Sequence, residues 1–412
     1  MASAVGIAGG FQGMKVLHWY PNFLSGGGVA NAVLGLAEAQ AGLGAGVAIA
    51  AAKPEGIALY QPMEPSEKVR LICWRPQWVL SLGGFRLRGL SGGALRELRS
   101  FGADVVHVHG EFNADNLWAP RVFDVPLVLS PHGAFHPVVL ATRRWLKASY
   151  IALARRRLYS HLTAIHALSP AEARHVKSLL GNRVAIYCAP QGPNVNVLPA
   201  VGAVSDKSGG DGVFRFVFVG GLDVHTKGLD ILLTAFTRAA DAGLDAEMEL
   251  LLVGPDWKGG VEWLRRRAAE LCCKQHVRFT GALPGAKVRE ALLTADAYVH
   301  LSRHEGFPLS VVEALLLGKP AVLSSEIGTV SYPEVASLAH VRVVPPRPEE
   351  AATAMLELVR NRVALRERAR EYLPLLRCFF SWERVAQVHL ERYEEVVRTK
   401  GRYSAREQER GR

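Results

Sequence analysis

The chain has 412 residues, room for two domains, and 49% of them are hydrophobic, enough for sizeable cores. Its formal net charge of +11 sits partly in the polar tail 399–412 and otherwise asks for an anionic partner such as a lipid headgroup; nucleic acid would also be drawn, but no nucleic-acid-binding motif accompanies the charge. Five cysteines (Cys73, Cys188, Cys272, Cys273, Cys378) form neither a disulfide framework nor a metal-ligand pattern, which excludes a disulfide-stapled module and points to a reducing compartment.

Residues 1–13 lack a basic start and a sustained apolar core, so they read as a flexible extension and not as a signal peptide. A short strand is expected over 15–19, followed by the loop Ser25-Gly26-Gly27-Gly28, a helix over 29–41 and a strand over 47–52. Strand, glycine loop, helix and strand in that order begin a doubly wound α/β domain. The three glycines do not spell GxGxxG; they let backbone approach a ligand closely, or simply make a tight turn. Further strands are expected at 105–108, where His107 and His109 interleave with valines, and at 126–130, 164–168 and 184–189.

Between these strands lies a basic and aromatic stretch: Arg143, Arg144, Trp145, Lys147, Tyr150 and Arg155 to Arg157. Two readings fit it equally, a helix lying on anionic headgroups and a solvated helix face. No run approaches the ~18 consecutive apolar residues of a membrane span. Residues 201–212, small and polar, read as a linker.

A second α/β cycle follows at once. Strands are expected at 214–219, 248–253, 276–280, 297–301, 320–324 and 342–344, with a helix over 228–240 and others between. A helix is expected over 347–372, a final helix over 381–397 within a C-terminal segment 376–398, and a disordered basic tail over 399–412. Two such halves imply two packed Rossmann-like domains, over 14–200 and 213–375, with a cleft between them at the strand C-termini.

Three segments carry chemistry. In HEGFPLSVVEALLLGKP, residues 304–320, Pro308 and Gly318 bracket a helix, with Glu305 in the preceding loop and Glu313 little more than a turn inside. Carboxylates that can grip hydroxyls, beside a helix N-terminus that favours an anion, suit a nucleotide-sugar. Gly220-Gly221-Leu222-Asp223 followed by Lys227-Gly228 places a compact cation at a strand-to-helix turn. Ser130-Pro131-His132-Gly133 places an imidazole at a strand end. Clustered histidines suggest a metal, but His107 and His109 alternate along a strand with no acidic partner, so none is expected.

These segments together resemble the retaining family 4 glycosyltransferases, the "glycosyl transferases group 1" superfamily. The first matches its Glu-x7-Glu motif; FVGGLDVHTKGLDILLTAF and SPHGAFHP are similar to its second signature and its first-domain histidine motif. The likeness runs from about 14 to 397 and is strongest over 216–334. It implies a GT-B fold, two Rossmann-like domains facing a central cleft, the first (14–200) holding the acceptor and the second (213–375) the donor, with the C-terminal helix crossing back to the first domain.

The resemblance also implies roles. Glu305, His132 and Lys227 become catalytic, with His132 orienting the transferred sugar, Lys227 on the diphosphate and Glu305 on sugar hydroxyls. Glu313 takes the ribose, and the amides of Gly306, Phe307 and Leu309 cradle phosphate or sugar, Pro308 having none to offer. Gly220, Gly221, Leu283 and Arg303 complete the donor side; Gly26, Gly27, Gly28 and His109 line the acceptor side. The family has Arg where this chain has Gly221, so one phosphate cation is missing; Arg303, His225 or Lys258 would substitute, or the enzyme is weak or inactive. The expected reaction moves a sugar from a nucleotide-diphosphate sugar, with no cofactor or metal, to a saccharide or lipid-linked saccharide in cell-surface polysaccharide synthesis. The expected location is the cytoplasm, either free or peripheral at the inner face of the cell membrane. The rivals are a nucleotide-sugar epimerase on the same fold and a non-catalytic sugar- or nucleotide-binding homologue.

Overall fold

A computed structural model describes residues 11–53, 64–82, 85–198, 212–242, 247–271, 273 and 276–410, with side chains to Thr399 except that of Leu82. The chain forms two compact units, Met1–Gly192 joined by Ser381–Arg412, and Pro193–Phe380.

In the first unit the elements run β1 (Lys15–Trp19), α1 (Gly28–Gly42), β2 (Gly46–Ala52), β3 (Val69–Trp74), β4 (Val79–Leu82), β5 (Phe85–Arg88), α2 (Gly92–Ser100) and β6 (Val105–His109). They continue with α3 (Ala119–Val122), β7 (Leu127–Ser130), α4 (Pro137–Ala141), α5 (Arg144–Arg157), β8 (Leu162–Ala167), α6 (Pro170–Leu180) and β9 (Ala185–Cys188). Seven strands make a parallel sheet in the order β3-β2-β1-β6-β7-β8-β9. Side chains alternate between its faces. Leu17, Trp19, Val106, Val108, Leu127 and Leu129 fill the core on one face. Val16, Val47, Ile49, Val105 and Val128 fill the other, beneath α1.

The second unit runs β10 (Phe214–Val219), α7 (Leu229–Ala240), β11 (Met248–Val253), α8 (Gly260–Glu270), β12 (Val277–Gly281), α9 (Gly285–Thr294) and β13 (Ala297–His300). Then come α10 (Leu309–Leu316), β14 (Ala321–Ser324), α11 (Pro333–Ala336), β15 (Val341–Val344), α12 (Pro348–Arg360) and α13 (Arg362–Phe379). Its parallel sheet has the order β12-β11-β10-β13-β14-β15. The core is built on Phe214, Phe216 and Phe218 of β10, packed with Leu232 and Phe236 of α7 and Met355 of α12.

The last helix, α14 (Trp382–Arg410), returns to the first unit, as expected of a crossing helix. Trp382 fills the space over Gly35 and Gly192, where a Cβ would lie 2.3 and 2.6 Å from its ring, so both positions need glycine. Leu390 and Tyr393 join the core beneath α1.

Several boundaries differ from the sequence reading. The unit boundary falls after Gly192 and not at 200, because the next residues pack in the second unit: the Asn194 amide meets Glu313 and Asn196 backs Gly285. The linker expected at 201–212 lies outside the described residues apart from Gly212. Residues 1–10 of the expected extension lie outside them too, but Phe11 is buried and packs with Val16 and Val47. The helix expected over 347–372 is two helices, broken at Asn361, whose φ of −107° and ψ of 21° are not helical. Pro374 does not stop α13, so the C-terminal crossing segment begins at Ser381 and not 376; the Ser381 hydroxyl caps α14 by accepting from the Arg384 amide at 3.0 Å. Residues 399–410 are helical, not a disordered tail: Arg, Glu, Lys, Ala and Gln dominate them, and Glu394–Arg398 supports the helix just upstream.

The hairpin β4–β5 and strand β3 have no counterpart in the sequence reading. The hairpin is fixed by Arg88, whose Nε donates to Asp115 at 2.6 Å and whose Nη2 donates to Asn22 at 2.6 Å, an almost fully buried arrangement.

Candidate functional site

In the second unit, Glu305 follows β13 and its backbone is held on both sides. Its amide donates to the Glu326 carbonyl at 3.2 Å, and its own carbonyl accepts from the Gly328 amide at 2.9 Å. Its carboxylate takes three donors: Lys227 Nζ at 2.5 Å, His300 Nε2 at 2.8 Å and Ser302 Oγ at 3.1 Å. Burial alone would push this carboxyl up, but the Lys227 ammonium and the His300 hydrogen bond hold it well below the usual carboxylate range. Glu305 is therefore a fixed anion. His300 donates through Nε2, with burial pushing its ring down from the ordinary value against the upward pull of Glu305, and its Nδ1 lies 2.9 Å from the Tyr298 hydroxyl. That hydroxyl is 2.8 Å from Ser310 at the start of α10, so one string of side chains ties the carboxylate to the helix N-terminus.

Lys227 reaches Glu305 because its turn is clamped. The Thr226 carbonyl accepts from the Arg303 amide at 3.0 Å, and Gly228 sits at φ 61° with its Cα so close to the Leu301 carbonyl that a Cβ would lie 2.1 Å from that oxygen. Only glycine satisfies both constraints. The turn Gly306-Phe307-Pro308 is anchored by the buried Phe307 ring, edge-on to Tyr332 and Phe380. Neither the amides of Gly306 and Phe307 nor that of Leu309, the first residue of α10, has a protein acceptor among the described residues.

Glu313 lies in the fifth position of α10 and is buried. Its Oε1 accepts from the Asn194 amide at 3.3 Å, and burial pushes its carboxyl up to about 7. The two motif carboxyls are thus pushed in opposite directions for a physical reason. One has a cation and two further donors; the other has one long hydrogen bond.

The remaining donor-side expectations divide. Gly220 and Gly221 follow β10 as expected, and an added Cβ at Gly221 meets nothing within 4 Å. Leu283 lies partly exposed in the loop between β12 and α9. Arg303 corrects the sequence reading. Its guanidinium makes a two-pronged bond to Asp230, at 2.8 and 2.7 Å, and donates to the His225 carbonyl at 2.7 Å. A fork so occupied is a brace for α7, beside an open groove of about 590 Å³ that Arg266 and Trp263 also line; it does not stand in for the missing arginine. Lys258 lies 5.8 Å over the ring of its neighbour Trp257.

In the first unit, Gly26 and Gly27 adopt φ of 73° and 94° and Gly28 opens α1, with open space around Gly27 and Gly28. His132 has φ 55°, follows β7 and is partly exposed. His109 was expected to line the acceptor side; it is instead buried in the sheet's upper face with His18 and His107. The alternation explains this: Val106 and Val108 take one face, so His107 and His109 must take the other, under α14. Nitrogen atoms of His18, His107 and His109 come within 4.8 Å of one another, the spacing of a metal site. Each ring nitrogen already has a protein partner: Gln40 and His109 for His18, Ser130 and Tyr393 for His107, His18 and His132 for His109. The sequence reading missed His18, His300, Gln40 and Gln191; histidine at the end of a strand was the available signal for the first two.

Two family models match the chain, "Glycosyltransferase Family 4" over residues 26–194 and "Glycosyl transferases group 1" over 206–374. A GDP-mannose:cellobiosyl-diphosphopolyprenol alpha-mannosyltransferase of Xanthomonas oryzae is 28% identical over 241 residues, 57% of this chain and 59% of that protein. The match thus spans about three fifths of that relative's length. A glycogen synthase of Mycobacterium tuberculosis is 24% identical over 75% of this chain and 73% of its own. Among solved structures, a sucrose-phosphate synthase from Thermosynechococcus elongatus superposes with a TM-score of 0.71 at 18% identity, covering 94% of this chain and 100% of that one. HepE of Anabaena, in complex with UDP and glucose, gives 0.67 at 16% identity over 93% of this chain and 100% of its own. With both sheets, the returning helix and both models in agreement, the chain has a GT-B fold and belongs to the family 4, group 1 glycosyltransferases.

Proposed function

We propose that this protein is a retaining glycosyltransferase that moves a sugar from a nucleotide-diphosphate sugar to a saccharide or lipid-linked saccharide. The observation that carries this is the Lys227–Glu305 pair at 2.5 Å, set beside the amides of Gly306, Phe307 and Leu309, which have no protein acceptor among the described residues. The diphosphate binds those amides and the helix N-terminus. Lys227 then offsets the charge that builds on the leaving group, with no divalent metal. Glu305 has one carboxylate lone-pair direction left after its three donors, and it accepts a sugar hydroxyl there while fixing Lys227. Glu313 accepts from the ribose, and His132 orients the transferred sugar.

These roles suit same-face displacement, in which the departing phosphate takes the acceptor's proton, and they supply no acid and base pair for epimerisation. A panel of UDP-, GDP- and ADP-sugars, read for transfer and for slow donor hydrolysis, tests the proposal. Release of one nucleoside diphosphate from one donor class, undiminished by excess chelator, is the expected result. No turnover of any donor overturns the reading, and strict manganese dependence overturns its metal-free form.

The acceptor class rests on α5 and on the cited relative, whose name specifies a diphosphopolyprenol-linked saccharide. Helix α5 has no acidic residue. Trp145 is 74% exposed with Arg144 over its ring at 4.6 Å, while Leu153 and Arg155 to Arg157 are also outward. Lys147 turns inward, over Phe112 and onto the Val139 carbonyl. Phe85 stacks on Tyr150 at 5.2 Å, so the hairpin with exposed Trp78 and Leu80 packs against the same helix. Among the described residues no helix is long and apolar enough to cross a membrane. A basic face studded with tryptophan suits the surface of an anionic bilayer, where a lipid-linked acceptor resides. Co-sedimentation with phosphatidylglycerol vesicles, and not with phosphatidylcholine vesicles, is expected; no binding at low salt removes this part.

A further inference from the structure

The buried imidazoles of the first unit form a directed string. Gln40 Oε1 lies 2.8 Å from His18 Nε2, His18 Nδ1 lies 2.9 Å from His109 Nε2, His109 Nδ1 lies 3.1 Å from His132 Nε2, and His132 Nδ1 lies 3.2 Å from Gln191 Nε2. Each nitrogen is used once, and the two amide ends fix one direction. An amide oxygen only accepts, so His18 donates through Nε2 and accepts at Nδ1; the same then holds for His109 and for His132. The opposite end agrees, because the Gln191 amide nitrogen only donates and needs His132 Nδ1 as an acceptor. A second string lies beside the first. The Ala189 carbonyl accepts from His166, which accepts from Ser130, which accepts from His107, which accepts from Tyr393.

His18 and Gln40 are fully buried and His109 nearly so, while His132 is the partly exposed end. Hydrogen bonds lengthen steadily toward that end, from 2.8 to 3.2 Å, so the contact with Gln191 is the one most easily exchanged. The cavity that His109, His132, His166 and Gln191 line has a volume of about 10 Å³, space for about one water molecule.

We propose that His18 and His109 are positioning residues of the transfer reaction: with Gln40 they form a buried relay that holds His132 neutral, in the Nε2–H form, with Nδ1 an acceptor for a hydroxyl of the transferred sugar. This rests on the proposed role of His132. The substrate hydroxyl takes the place of the Gln191 amide and must donate to the ring, so a group that only accepts finds no partner there. His18 lies two rings from His132 and acts on the sugar only through the string.

Two measurements test the relay. Long-range ¹H–¹⁵N correlation spectra of the histidine-labelled wild-type protein should show His18, His109 and His132 as neutral Nε2–H rings. A Nδ1–H or doubly protonated His132 at neutral pH, or one equivalent of zinc held by His18, His107 and His109, overturns the proposal without any variant. His18→Phe keeps the ring volume and breaks the string; kcat should fall by about tenfold or more while the donor KM stays within about threefold. His18→Asn restores an acceptor toward His109 Nε2 and should bring kcat back to within about threefold of wild type. Unchanged kcat in a folded His18→Phe protein sinks the relay alone. Absence of turnover in the wild type sinks the proposed function, and the relay's purpose with it.

Discussion

Both sheets end their strands in buried histidine, yet the two units use it in opposite ways. In the first unit, His18, His107, His109 and His166 pair with neutral partners, and burial pushes each of them down from its ordinary value, His18 and His166 to about 4. In the second, the single imidazole of His300 braces an ion pair, Lys227 with Glu305. Charge survives burial only where a cation and further donors surround it. A neutral string orients through direction and a fixed ion pair stabilises through charge, so losses in the two units should differ in kind.

The largest expected effect is at the ion pair. Glu305→Ala should lower transfer by a factor on the order of 10³, because the sugar loses its fixed acceptor and Lys227 loses its tether. Calorimetry should find nucleoside diphosphate affinity unchanged within about threefold, or tighter, since the freed ammonium can turn to phosphate. A variant as active as wild type removes Glu305 from the site. One that loses nucleotide binding instead makes the ion pair a binding element, and the contrast with the first unit collapses.

Glu313 blurs the contrast, because it is an acid of the second unit that burial pushes up to about 7. The folded protein then keeps a proton that the unfolded chain releases near 4.5, so this group's contribution to stability falls as pH rises through that window. Above pH 7 the buried carboxylate costs about 1–3 kcal/mol. Glu313→Gln removes that cost, and the melting temperature at pH 8 should rise by about 2–6 °C while matching wild type near pH 4. Nucleotide binding should move the other way, weakening by about tenfold at pH 8, because a ribose hydroxyl is better accepted by a carboxylate. Wild-type affinity should tighten as pH rises through about 7 and stay flat in the variant. Parallel pH curves for the two proteins would remove Glu313 from the nucleotide site.

The pattern of the second unit was readable because its chemistry sits in contiguous strings. Glu305, Glu313 and Lys227 lie beside glycine and proline punctuation, and periodicity placed them at turns and helix starts. Strands β10, β11 and β14 fell within a residue of their expected places. What escaped were partners distant in sequence. His18 and His109 are 91 positions apart, and Lys227 and Glu305 78, so no local pattern announces either contact. Arg303 was misjudged for the same reason, since its engagement by Asp230 depends on how α7 packs. The hairpin β4–β5 escaped because each of its strands is only four residues long and it is stabilised by Arg88 with Asp115, residues from separate segments. His109 was misplaced by one step of logic: valines claimed one face of β6, and the histidines had to be interior.

The smallest expected effect concerns the cation that the family has and this chain lacks. Because Arg303 is committed to Asp230, Lys227 remains the one cation placed at Glu305 among the described residues. Gly221→Arg has room at its Cβ, and a guanidinium there would reach toward phosphate as a second donor. Exposure to solvent limits the gain: charge pairs at a protein surface contribute well under a buried pair, so nucleoside diphosphate affinity should improve by about three- to tenfold. The gain should shrink as salt rises from low to physiological strength, which separates an electrostatic gain from better packing. A large rise in kcat with no change in affinity would mean instead that the arginine acts on the leaving group in the transition state. An unchanged protein would mean that Lys227 and the α10 amides already satisfy the diphosphate, and that Gly221 marks a different phosphate pose and not a deficient one.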